Sequence, residues 1–215
     1  MFVGHYGVSF AAKSIDKRIP LWLLFIAVQF VDVLWAVFIL MGIERVRITP
    51  GITASNPLDL YYMPYTHSLV AVVLWSGLGF VWYRMIYKST NFAAFLVAVA
   101  IFSHWVLDLI VHRPDLPLYD DKYKIGFGLW NFPVLAFALE SILLFGGIFL
   151  YLRSSRAVSL AGKFGVPVFG IVLLIVQAIV FFGAPPTSSS SAALTALFSY
   201  LLFAGVAYYL ETKRQ

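Results

Sequence analysis

The stretch NFAAFLVAVAIFSHWVLDLIVHRP, residues 91–114, decides what kind of protein this is. From Asn91 to Val111 it is almost wholly apolar, and it stops before HRPDLP, whose prolines break helices. At ~1.5 Å per residue, such a run crosses the ~30 Å hydrocarbon core of a bilayer. Three ionisable groups interrupt it at four-residue intervals: His104, Asp108 and His112. A charged side chain at mid-bilayer costs roughly 2.5–3.5 kcal/mol on insertion scales. The trio therefore needs a compensating partner.

The rest of the chain belongs to the same class. Of its 215 residues 61% are apolar and 12% charged, with mean hydropathy +0.89; a soluble domain carries about 25% charge. Continuous apolar runs, rather than alternating ten-residue strands, exclude a β-barrel and predict an all-α polytopic bundle. Six spans are expected, over about 21–41, 66–86, 91–111, 130–152, 164–183 and 192–210. Residues 1–20 precede them as an interfacial or re-entrant segment carrying His5, and the whole chain forms one membrane domain. Cysteine is absent, which removes disulfides, thiolate metal sites and iron–sulfur clusters. The net charge of +5 sits in loops flanking apolar runs, as membrane topology requires, and not on a nucleic-acid-binding face.

Lys and Arg set the orientation. With six spans, Lys13, Lys17, Arg18, Arg84, Lys88, Arg153, Arg156, Lys163, Lys213 and Arg214 share one side, and Arg45, Arg47, Arg113, Lys122 and Lys124 the other. The positive-inside bias of ten against five predicts that both termini are cytoplasmic, in the inner membrane of the cell. Tyr and Trp at the span ends, such as Trp22, Tyr61 and Trp130, suit an interfacial aromatic belt.

Ionisable residues inside a membrane are functional candidates by default. Besides the trio these are Asp32, His67 and Glu140, and the expected topology brings all of them to compatible depth in an outward-facing cavity. On a helix, residues four apart share a face, so His104 and Asp108 can hold one ion, as can Asp108 and His112. His104 and His112 are separated by about 12 Å of rise, which makes a single ion for all three hard. His112 is then a supporting group, a substrate contact or a ligand to a second ion. Imidazole with carboxylate suits zinc, with manganese or iron(II) as alternatives. Each group also has a plain structural reading: His104 with Asp108 as a buried pair, Asp32 beside Arg113 or a Trp N–H, Glu140 as a protonated bridge between helices. The number of such groups on separate spans favours function.

GHYGVSFAA (residues 4–12), VQFVDVLW (28–35), YTHSLV (65–70) and SHWVLDLIVHRPDLPLY (103–119) together resemble the predicted membrane-bound metal-dependent hydrolases of the YdjM-like family. The likeness covers roughly the first 120 residues. It implies metal ligands at His5, Asp32, His67, His104 and Asp108, and a hydrolase acting on a lipid or other amphiphilic ester or phosphoester. Asp32 stands alone in FVDVLW, where the family often has a denser acidic run, and YYMPYTHS lacks the upstream His and Arg often found there. In the hydrolase reading His112 or Glu140 moves protons and Arg113 neutralises a lipid phosphate. The alternative is a non-enzymatic membrane subunit of a larger complex, its histidines binding haem or a pigment or serving structure. No phosphate-binding Gly-rich loop and no GxSxG motif is present.

Overall fold

The computed structural model describes all 215 residues, and every expected apolar run is a helix. In chain order these are α1 (Val3–Ile15), α2 (Leu21–Val28), α3 (Phe30–Leu40), a hairpin of β1 (Arg45–Ile48) and β2 (Leu58–Tyr62), α4 (Leu69–Ile86), α5 (Asn91–Val111), α6 (Pro133–Ser154), α7 (Leu160–Phe182) and α8 (Ser189–Glu211). Local chemistry fixes the boundaries. Ser68, Thr90, Ser159 and Ser188 each accept a hydrogen bond from the first turn of α4, α5, α7 and α8, and α6 opens on Pro133. The molecule is an all-α bundle in which five helices are long and apolar enough to cross a membrane, with α2 and α3 as a sixth, bent span.

That sixth span departs from the straight 21–41 helix the sequence suggests. It bends by 56° at Gln29. Neither Pro nor Gly stands at the break; neighbouring segments supply two of its polar groups with partners, while the Gln29 side-chain oxygen has none. The Val28 carbonyl accepts a hydrogen bond from His104 Nδ1 at 2.7 Å, and the Gln29 amide donates to the Phe2 carbonyl at 3.2 Å. A broken helix in lipid survives only where protein supplies such partners. The bend also puts Asp32 in the first turn of α3.

α1 is the second surprise. Its side chains Val3, His5, Tyr6 and Phe10 are fully buried, so the segment lies in the core as a re-entrant helix and not at an interface. It runs along α6 with the backbones in contact. The Gly7 carbonyl occupies the space a side chain at Gly147 would need, and the Leu143 carbonyl occupies that of Gly7. Small residues are what let helices approach this closely where lipid offers no hydrophobic drive. The two ends of α1 differ in surroundings. Met1 lies inside the bundle against Asp108, while Lys13 pairs with Glu211 and donates to the Lys17 and Ile19 carbonyls.

The connections sort as the charge pattern requires. Arg18 reaches Thr90, and Arg156 pairs through its backbone with Gln215, so the basic loops lie together at one end. Arg18 also hydrogen-bonds Asp16 and holds that carboxyl below the usual carboxylate range. At the other end, the β1–β2 hairpin is tied down by Arg113 to Asp59, Lys124 to the Tyr61 carbonyl and Ser55 to the Trp130 carbonyl.

A side chain at either contact glycine must push helix backbones apart. Gly7→Val and Gly147→Val are expected to lose about 1–3 kcal/mol each, read as a lower thermal midpoint in detergent. Gly146→Ala, with open space around it, is expected to leave the midpoint unchanged.

Candidate metal centre

Three helices and one loop deliver the expected residues to a single buried point. His5 comes from α1, Asp32 from α3 just past the break, His67 from the loop ahead of α4, and His104 and Asp108 from one face of α5. His5, His67, His104 and Asp108 are buried and Asp32 is nearly so. Asp108 is the hub. Its Oδ2 lies 3.1 Å from His104 Nε2, 3.5 Å from His112 Nε2 and 3.8 Å from His67 Nε2; its Oδ1 lies 3.2 Å from His5 Nε2 and 2.5 Å from the Met1 amino group. Asp32 Oδ1 lies 3.3 Å from His67 Nε2 and 3.5 Å from His104 Nε2. Two overlapping triads, His5–His104–Asp108 and Asp32–His67–His104, each gather their ligand atoms within 4.8 Å.

His112 is the C-cap of α5; its amide still donates to the Asp108 carbonyl at 2.8 Å, so its ring stands one turn beyond Asp108 on the same face, and the chain turns away only after it. Its ring packs on Trp130, with centroids 4.2 Å apart.

The hydrogen bonds behind the rings fix which nitrogen carries the proton. A carbonyl oxygen only accepts, so His104 Nδ1 must donate to Val28. Thr66 gives its hydroxyl proton to Glu44 Oε2 at 2.6 Å and so receives the Nδ1 proton of His67 at 2.8 Å. His112 Nδ1 is 2.9 Å from Asp115 Oδ1. In the neutral rings each Nε2 is then a lone pair, and each faces a carboxylate oxygen, acceptor against acceptor. Such backing of the distal ring nitrogen is how metal-binding histidines are oriented. The buried Nε2 of His104 has no hydrogen-bond partner, although Asp108 Oδ2 is close to it. The donor set of imidazoles and carboxylates, with this orphaned lone pair, fits a divalent cation.

Glu140 and Arg113 are placed differently. Glu140 Oε2 accepts from the Phe2 and Gly4 amides, capping the start of α1, while its buried Oε1 has no partner. Arg113, expected at a lipid phosphate, is engaged by Asp59 and Asp115 beneath the hairpin. It does not line the cavity beside the cluster, which reaches Asp32, His67, Asp108, His112 and Glu140 and encloses about 600 Å³.

Several supporting residues escaped the sequence reading. Tyr200 on α8 donates to Asp32 Oδ2 at 2.8 Å. Glu44 also receives the Tyr65 and Thr66 amides. Thr66 and Asp115 stand one and three residues from a candidate histidine, a signal that was readable; Glu44 and Tyr200 are far in sequence and gave none.

No family model, curated protein or solved structure matches this chain.

Removing the Thr66 hydroxyl leaves the buried His67 Nδ1–H and Glu44 Oε2 unpaired. Thr66→Val is expected to cost about 1–3 kcal/mol, seen as a drop in thermal midpoint, and Thr66→Ser to restore it.

Proposed function

We propose that this chain is an integral-membrane metal-dependent hydrolase that cleaves an ester or phosphoester. One observation carries the reading: the Nε2 atoms of several imidazoles, each braced at Nδ1, converge on two buried carboxylates beside a cavity. Two acceptors set 3–4 Å apart repel unless something positive lies between them. Protonating several buried imidazoles is costly, whereas one divalent cation satisfies all of them together. The resemblance to YdjM-like hydrolases implies the same five ligands, His5, Asp32, His67, His104 and Asp108.

Zinc suits this set, with manganese and iron(II) as alternatives. When bound, such an ion supplies Lewis acidity and makes water a nucleophile near neutral pH. The chain's own residues then have separate tasks. Asp32 and Asp108 set the negative charge of the centre, and Tyr200 orients Asp32. The free Oε1 of Glu140 is the group best placed to take a proton from attacking water, because Oε2 is already committed to the α1 amides. Glu140 would hand the same proton to the leaving oxygen, while His112, braced by Asp115 and packed on Trp130, offers its Nε2 as a further acceptor beside Asp108. The basic loops would face the cytoplasm of a cell with the centre towards the opposite side of the inner membrane.

A haem-binding subunit is the poorer reading. Asp32 and Asp108 fill the space between His67 and His104 that the macrocycle would need.

Detergent-purified protein is expected to carry about one transition-metal ion per chain by elemental analysis, and Asp108→Ala to carry none. Asp121→Ala, at a half-buried ion pair with Lys124 outside the cluster, is expected to keep it. Glu44→Gln, which disturbs the Glu44–Thr66–His67 chain behind a ligand, is expected to weaken metal affinity by about 10–100-fold. Ester hydrolysis should cease on chelation and return with zinc. Equal metal in wild type and Asp108→Ala, or none in either, contradicts the proposal.

A further inference from the structure

The cavity beside the cluster has two unlike walls. Near the centre it is polar, lined by Asp32, His67, Asp108 and Glu140 together with Ser199 and Tyr200. Further out it runs between α7 and α8. Val176, Ile179 and Val180 repeat at helical spacing on α7, and Ala192, Thr195 and Ala196 do so on α8. Both helices are membrane-spanning by length and hydropathy.

Ile179 and Val180 line this cavity and are nevertheless exposed at the surface of the bundle. Side chains of the cavity's apolar wall are thus also exposed on a helix long and apolar enough to cross a membrane. Above it the loop from Pro50 to Leu58 and the turn at Pro185–Pro186 form a rim towards water. A volume of about 600 Å³ lies within the ~300–1,000 Å³ of small-molecule sites. A ligand there meets apolar side chains along one part and carboxylates and imidazoles at the other.

We propose that the α7–α8 cleft binds the acyl chain of a bilayer amphiphile, admitted laterally from the membrane, with its ester or phosphoester headgroup at the His–Asp cluster. The proposal rests on the hydrolase reading for the headgroup end and names the substrate class for it. A water-soluble substrate has no use for an apolar groove between membrane-spanning helices. A groove of this kind excludes water from the chain, and lateral entry lets a lipid reach the centre without leaving the bilayer.

Occupancy can be read without turnover. The full-length protein is reconstituted in phosphatidylethanolamine–phosphatidylglycerol vesicles containing a phospholipid with a diazirine near the end of one acyl chain. After illumination, labelled peptides are mapped by mass spectrometry. Labels are expected on the facing positions Val176, Val180, Ala192 and Ala196, besides lipid-facing Leu194 and Phe198. Ala196→Trp and Val176→Trp, which fill the cleft from opposite walls, are expected to lower labelling of the facing positions at least fivefold and to leave Leu194 and Phe198 unchanged. Absence of labels from the facing positions of wild type overturns the proposal, as does undiminished labelling in a folded variant. Metal content of the same samples reports separately on the hydrolase reading: facing-wall labels on metal-free protein overturn the metal centre and keep the chain site.

Discussion

Lone pair facing lone pair is the constraint on which this molecule turns. Asp32 and Asp108 lie inside a lipid-embedded bundle; apart from the Met1 amino group and His5 Nε2 on Asp108, the nitrogens around them are the Nε2 atoms of imidazoles whose Nδ1 atoms are engaged at the other end of the ring. Burial of two carboxylates without compensation costs far more than a marginally stable fold provides. The surrounding structure makes sense as the device that holds these groups together and lets a cation neutralise them.

The fold devotes its irregular parts to this point. The break at Gln29 offers the Val28 carbonyl that fixes His104 and turns Asp32 inward. The re-entrant α1 brings His5 against His104, the two rings stacked 4.1 Å apart and nearly parallel. Glycine contacts between α1 and α6 allow that depth, and Glu140 caps the helix start that results. The last turn of α5 sets His112 one turn beyond Asp108 on the same face. Helix interruptions deep in a membrane protein are tolerated only where they are enclosed by protein or line a cavity, and both conditions hold here.

Much of this was legible in the sequence because apolar runs of membrane length report spans directly. The helices from α4 to α8 fall within a few residues of the expected runs. The i, i+4 spacing of His104 and Asp108 likewise announced a shared face. What was not legible depended on tertiary partners. Gln29 is no helix breaker by type, so the bend has no local signal. The hairpin at 45–62 is two short strands in a stretch that reads only as a long connection. Arg113 looked free to meet a phosphate because Asp59, its partner across 54 positions, had no visible claim on it. Glu44 reaches His67 only through Thr66, a connection made by folding alone.

X-ray absorption at the zinc edge, on protein purified without added chelator, addresses the cation most directly. The account predicts a first shell of nitrogen and oxygen alone at about 2.0–2.2 Å, with the multiple-scattering pattern of several imidazoles and no sulfur, since the chain has no cysteine. An edge signal with a purely oxygen shell, or no bound metal when manganese and iron edges are also silent, would contradict it.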